Sequence, residues 1–375
     1  MEVYKNGNFS EPAVRIYAKF PRKSKNKQDA PIFENGRFDA CELCPLNPNV
    51  HPAESPQYLF AWQNAAKMSD EDCNGTVYVY DLKAESFERS KFMIQCHQGQ
   101  EIQVKVNCKG YAALIWSQNM SDTSGKSYYG EHNLQYVQIF GGRDRQHVPV
   151  FQNMINDVAW VDSGERFIVI AGNQPAVATL YDKDCNALFE FGKRYRNTIR
   201  VCPFSQLLLI GGFGNLKGEI DFWSLDTLEQ VGKTRSDCAI GIEWAPDGKH
   251  LMTSVLYERV KVDNQINIFN GCGKKLLNPP RAFNELISAQ WQPYPQGVFP
   301  KPQISAMQQA AAEEEAKRPK RTFQMPAQNN SAFSQMMRQQ MGGAGNEGPR
   351  RLDVNDKKNY KEMGNSQAAT AKDKV

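Results

Sequence analysis

The sequence predicts an all-β fold: a WD-type β-propeller of four-stranded blades followed by a disordered tail. Three observations predict it. Trp160, Val201 and Trp244 stand at matching places in three similar segments, 41 and 43 residues apart. Each segment holds an apolar strand of period two, a polar turn and a more continuous apolar strand. After Pro300 the chain becomes rich in Gln, Asn, Lys and Gly and poor in bulky apolar residues. A unit of about 40–45 residues with four short strands is the propeller signature.

The elements follow in chain order. MEVYKNG and AVRIYAKF read as the last two strands of a blade whose first two the chain does not supply. FDACELCPL, QYLFAW and TVYVYDL form the next unit. QVKVNCKGYAALIWS supplies two strands and LQYVQIF a third, with the polar insertion QNMSDTSGKSYYGEHN between them. The three regular units are INDVAWVDSGERFIVIAG (155–172), TIRVCPFSQLLLIGGFG (198–214) and AIGIEWAPDGKHLMTSV (239–255). Their third strands are ATLYD, IDFWSLD and INIFNG, and less regular fourth strands follow, as in CNALFEFG and LEQVGKT. ISAQWQPYPQGVF then places Trp291 at the same point, 47 residues after Trp244. Residues 1–300 are therefore expected to form about five blades plus a partial N-terminal blade. The ring is expected to be incomplete or to be closed by that N-terminal hairpin. No long helical periodicity precedes residue 300, which makes all-α and α/β folds poor readings, and the repeat spacing disfavours a β-sandwich.

Residues 301–375 are expected to form a disordered basic tail, since such a composition does not offset the entropy of ordering the backbone. Two short stretches, 304–318 and 331–341, have weak helical patterning. The tail carries 13 Lys+Arg against 8 Asp+Glu, while the first 300 residues carry 32 against 33. The cationic surplus thus sits in the tail. The cysteines number nine, are spread along the chain and lie partly in apolar runs, which fits a reducing compartment. The N-terminus lacks an apolar signal core, no run is long enough to span a membrane, and a cytoplasmic location is expected.

The motifs carry little chemistry. Cys41-x-x-Cys44 has metal-like spacing but no matching second ligand pair, so two strand or turn cysteines are expected and no metal. GGFGNLKG (211–218) is glycine-rich, yet a strand rather than a helix follows it, so it reads as a hairpin connection and not a phosphate loop. Asp247, in WAPDGKH, reads as a turn residue. None of the five histidines adjoins a nucleophile motif, and no catalytic residue or cofactor is expected. Two basic clusters are the candidate RNA contacts. Arg22, Lys23, Lys25 and Lys27 share one polar loop, and Lys317, Arg318, Lys320 and Arg321 open the tail. Such side chains neutralise phosphates and release counterions, although solvated loops of this composition are commoner than binding ones.

The run from LLLIGGFGNLKGEIDFW through WAPDGKHLMTSVLYERVKVDNQINIFN resembles the late propeller blades of the eukaryotic translation initiation factor 2A family. GFGNLKG leads into a strand bearing Trp223, and ISAQWQPYPQGVFP resembles the segment that closes the family's propeller. SGKSYYGEHNLQYV and INDVAW match upstream. The similarity is close over about 100–300 and looser over 1–100. The propeller of the b subunit of initiation factor 3 is similar in kind, but the GFGNLKG and WQPYPQGVFP blocks favour 2A. The resemblance implies a non-enzymatic factor that binds the small (40S) ribosomal subunit and assists delivery of initiator tRNA without GTP hydrolysis of its own. Messenger RNA and other initiation factors are further implied partners. It also implies that the family's N-terminal blades and its long basic C-terminal region are not in this chain. A propeller scaffold within an initiation-factor assembly, with no direct RNA role, is the alternative, and a propeller hydrolase is a weaker one.

Overall fold

The structure is a computed structural model. It describes residues 2–3, 14–15, 38–44, 57–65, 74–82, 90–97, 99–119, 130–139, 145–148, 154–161, 164–295, 297–304 and 348–351. The described residues form antiparallel sheets in two compact units.

The first unit holds a hairpin of β1 (Glu2–Val3) and β2 (Val14–Arg15) and two four-stranded sheets. One sheet is β3 (Ala40–Leu43), β4 (Tyr58–Gln63), β5 (Gly75–Asp81) and β6 (Phe92–Cys96), paired in that order. The other is β7 (Glu101–Val106), β8 (Ala112–Gln118), β9 (His132–Gln138) and β10 (Arg145–His147), also in order. Alternation along β4 explains its continuous apolar run. Tyr58, Phe60 and Trp62 enter a core shared with β8, while Leu59 and Ala61 pack on the opposite face with Tyr78 and Tyr80. A strand buried on both faces needs apolar side chains at every position.

The second unit holds three sheets. The first runs β11 (Ile155–Val161), β12 (Arg166–Ala171), β13 (Ala176–Asp182) and β14 (Ala187–Arg194). The second runs β15 (Thr198–Val201), β16 (Leu207–Gly211), β17 (Glu219–Ser224) and β18 (Gln230–Arg235). The third runs β19 (Gly241–Trp244), β20 (His250–Val255), β21 (Gln265–Asn270) and β22 (Arg281–Ala282). Again the second strand is two-faced. Leu208 and Ile210 of β16 pack against β12 and β13, and Leu207 and Leu209 pack against β20 and β21. Each such leucine or isoleucine contributes about 1.5–3 kcal/mol by leaving water. The all-β expectation with four-stranded blades holds, and each sheet is a simple up-and-down meander.

The repeat spacing has a physical cause in hydrogen bonds between first strands of successive sheets. Trp244 Nε1 donates to the Arg200 carbonyl at 3.0 Å, and Trp291 Nε1 donates to the Glu243 carbonyl at 3.3 Å. Acidic side chains on first strands accept from the next sheet's first strand or its equivalent. Asp157 Oδ2 accepts the Ile199 N–H at 2.8 Å, Glu243 Oε2 the Trp291 N–H at 3.1 Å, and in the first unit Glu42 Oε1 the Val106 N–H at 3.2 Å. Trp291 thus keeps its repeat position although residues 287–291 form no strand ladder. That segment has no following sheet among the described residues to pair with, and Ile287 is 76% exposed.

A fifth strand joins the first sheet of the second unit. β23 (Arg350–Arg351) pairs antiparallel with β14. It lies within the stretch expected to be a disordered tail; beyond 301–304 and 348–351, that stretch and its two weak helical patterns lie outside the described residues.

Candidate nucleic-acid interface

Neither basic cluster singled out in the sequence can be placed. Arg22, Lys23, Lys25 and Lys27, like Lys317, Arg318, Lys320 and Arg321, lie outside the described residues. The structure assembles a different set of cations, at one end of the second unit.

In an up-and-down sheet, the connections leaving even-numbered strands share one edge. Here these are the β12–β13, β14–β15, β16–β17, β18–β19 and β20–β21 connections. Reciprocal hydrogen bonds lock them together. Gln174 donates from Nε2 to the Arg196 carbonyl at 2.6 Å and accepts the Arg196 N–H at 2.9 Å. Asn197 does the same to Phe213, with Nδ2 donating to its carbonyl at 3.0 Å and Oδ1 accepting its N–H at 2.9 Å. The Ser236 N–H donates to the Gly218 carbonyl at 2.9 Å. Gly218 has φ +76, and a Cβ there would lie 2.0 Å from the Ser236 carbonyl oxygen, so only glycine allows this approach. Gly211 to Gly218 is thus a hairpin connection, as its flanking strands predict, and its last glycine lets two sheets touch.

A buried arginine anchors this end. The Arg196 side chain is 2% exposed and its Nη2 lies 3.6 Å from Asp221 Oδ2. Its Nη1 is 3.5 Å from the Phe191 carbonyl. Burial pushes the guanidinium down to about 10; Asp221 works against that shift and Arg194 adds to it. Asp221 also accepts from Gln230 at 2.8 Å and lies 3.5 Å from Arg194 Nη1. The buried carboxylate therefore positions two arginines, one internal and one at the rim.

The rim combines cations with an aromatic ring. Tyr195, preceded by Lys193 and Arg194, is 52% exposed. Lys217, Arg235, Arg259 and Lys261 stand on the neighbouring connections or at the strand end leading into them. Arg259 is hydrogen-bonded to Asn215, Arg235 is paired with Asp237, and Lys261 lies 4.1 Å over the Tyr257 ring. Glu219, Glu258 and Asp263 also lie here, so the rim is basic but not uniformly so. Exposed aromatic rings among cations can stack a base while the cations meet phosphates. The sequence signal was KRYRN (193–197), a basic run interleaved with tyrosine. It escapes composition-based reading because it sits in a neutral region, at the end of a strand and the start of the connection after it.

The other motifs resolve structurally. Cys44 Sγ donates to the Gly110 carbonyl at 3.0 Å, and burial, with Glu42 adding to it, pushes its thiol up to about 12. Among the described residues no group of three or more His, Cys, Asp or Glu could hold a metal ion. Asp247 Oδ1 accepts the Lys249 N–H at 2.9 Å and the His250 N–H at 3.2 Å, which is a turn role. No helix among the described residues is long and apolar enough to cross a membrane.

Comparison with known sequences decides the family. The family model described as "Eukaryotic translation initiation factor eIF2A" matches residues 95–289. The chain belongs to this family of translation initiation factors. The matched stretch contains every residue of the basic rim and excludes both clusters chosen from the sequence. Among relatives, eukaryotic translation initiation factor 2A of Dictyostelium discoideum is 37% identical over 228 residues, which is 61% of this chain and 36% of that protein. The factor of the same name from Drosophila melanogaster is 25% identical over 260 residues, 68% of this chain and 40% of that protein. The b subunit of eukaryotic translation initiation factor 3 from Xenopus laevis is 28% identical over 233 residues, 56% of this chain and 32% of that protein. The chain thus spans about a third of the length of the curated relatives it matches. A crystal structure of a eukaryotic initiation factor superposes with a TM-score of 0.56 at 23% identity, covering 71% of this chain and 60% of that one. That likeness supports the propeller-type fold.

Proposed function

We propose that the chain acts as a non-enzymatic translation initiation factor that binds the small ribosomal subunit and assists delivery of initiator tRNA without hydrolysing GTP. The basic rim of the second unit is its RNA-contacting surface, and the clusters at 22–27 and 317–321 add sequence-independent attraction to phosphate. Messenger RNA and other initiation factors are further partners, and the cytoplasm is the site of action. One observation carries this reading: the rim's cations and exposed Tyr195 lie wholly within the stretch that matches the initiation-factor family. Rigid sheets presenting interlocked loops suit docking on a large ribonucleoprotein surface.

The experiment is co-sedimentation of the full chain with purified 40S subunits across a salt series, repeated with initiator tRNA. Binding should weaken with salt, and Lys217→Glu and Lys261→Glu should each lower the salt slope by about one, as loss of one phosphate contact does. Tyr195→Ala should weaken binding with the slope unchanged. A folded chain that fails to bind at low salt would refute ribosome docking by this chain. Binding that ignores both lysine variants would move RNA contact elsewhere. A scaffold role without RNA contact has one observation in its favour, the similarity to the b subunit of initiation factor 3, and it predicts salt-insensitive association with protein partners instead.

A further inference from the structure

β14 and β18 are the fourth strands of successive sheets, yet they differ in kind. In β14, Ala187, Phe189, Glu190 and Phe191 are all buried, whereas β18 has no buried residue. Glu190 is the unusual member of that set, a carboxylate whose side chain is 8% exposed on a strand at the margin of a four-stranded meander. A carboxylate in such a place is costly unless it is paired. Arg350 supplies a pair from 160 positions away, its Nε donating to Glu190 Oε2 at 2.9 Å. The backbone matches the side chains, since Arg350 stands opposite Glu190 and Arg351 opposite Phe189 in antiparallel register. Pro349 precedes them and has no N–H to donate, which suits the start of a short edge strand. A charge-assisted bond thus fixes which residue pairs where, and main-chain pairing along the edge supplies the rest of the affinity.

We infer that the outer edge of β14 is a docking site for an extended, arginine-bearing segment, selected by Glu190 and occupied in cis by residues 348–351. The consequence is topological. Ile304 packs on the core of the second and third sheets of the second unit. The stretch between Ile304 and Arg350 is therefore fastened to that unit at both ends, and it carries Lys317, Arg318, Lys320 and Arg321. Displacing β23 would release one end of it.

Two measurements on the full chain test this. The first is native-state hydrogen exchange at residues 188–191. Arg350→Glu, a change at a side chain that is 54% exposed, should speed exchange there at least about tenfold and leave β18 unchanged. The second uses a labelled peptide of sequence GPRRLD, residues 348–353 of the chain. A tethered occupant competes at an effective concentration in the millimolar range, so the peptide should bind the Arg350→Glu chain at least about tenfold more tightly than wild type. Adding Glu190→Gln to that chain should abolish the gain. Unchanged exchange in Arg350→Glu overturns the docked state. Equal peptide affinity for wild type and variant, or no affinity for either, overturns the edge as a docking site.

Discussion

The first and fourth strands of the sheets hold their places by different means. First strands reach across to a neighbouring sheet: Asp157 to the Ile199 N–H and Glu42 to the Val106 N–H of the sheet that follows, Trp244 to the Arg200 carbonyl of the sheet before. Fourth strands follow no common rule, since β18 is half-exposed throughout while β14 is buried and carries β23 along its edge. The first strands must meet a neighbour's backbone at fixed geometry, so a tryptophan recurs at nearly constant spacing and an acidic acceptor recurs on the same strand. The fourth strands pair on one side only in the meander, so their other side is free to be exposed or adapted to a partner.

Breaking a cross-sheet contact should therefore cost more than changing a fourth strand. The largest effect is expected at Trp244, which is buried, packs edge-on against Phe222 with ring centres 5.9 Å apart, and donates to Arg200. Trp244→Ala should lower unfolding free energy by about 3–5 kcal/mol in denaturant titration. Trp244→Phe keeps most of the packing and leaves the Arg200 carbonyl without its donor, and should cost about 1–3 kcal/mol. Equal losses for the two variants would mean that packing contributes nothing beyond the hydrogen bond. Asp157→Ala comes next, at about 1–3 kcal/mol, because it strips the acceptor from a part-buried N–H. Thr234→Ala on β18 supplies the contrast, with a change inside about 0.5 kcal/mol. A loss at Thr234 as large as that at Asp157 would erase the distinction between the two kinds of strand.

The same distinction explains what could be read in the sequence. Trp160, Trp244 and Trp291 share a register, and the cross-sheet donor bonds of Trp244 and Trp291 show why such a position recurs. The two-faced second strands were equally legible, because burial on both sides demands unbroken apolar runs such as LLLIG. The rim was not. Lys193, Lys217, Arg235, Arg259 and Lys261 are scattered over nearly 70 positions and meet only because Asn197, Gln174 and Gly218 lock separate connections together. Contiguous clusters such as KRPKR draw attention because charge density along a chain is visible, whereas charge density across folded loops is not. β23 was hidden for a related reason. Two arginines beside a proline carry no strand signal until a buried glutamate 160 residues away supplies one.

The smallest effect expected is electrostatic and falls in the first unit. Burial raises the Glu42 carboxyl above its ordinary 4.5, while the Val106 N–H and Lys105 pull it down without cancelling the shift. A carboxyl with a higher pKa folded than unfolded binds its proton more tightly in the folded state. Its contribution to stability is therefore full at low pH and is lost as pH rises through 4.5 and the raised value. Glu42→Gln keeps an oxygen to accept from Val106 and removes the charge. The variant should match wild type at pH of about 4 or below and gain on it as pH rises towards neutrality, read as the difference in thermal midpoint across a pH series. A constant difference would show that Glu42 does not titrate differently on folding. A gain for wild type at higher pH would show that the ionised carboxylate strengthens its bond to Val106 by more than burial costs it, making the acidic residues on first strands electrostatic clasps rather than mere acceptors.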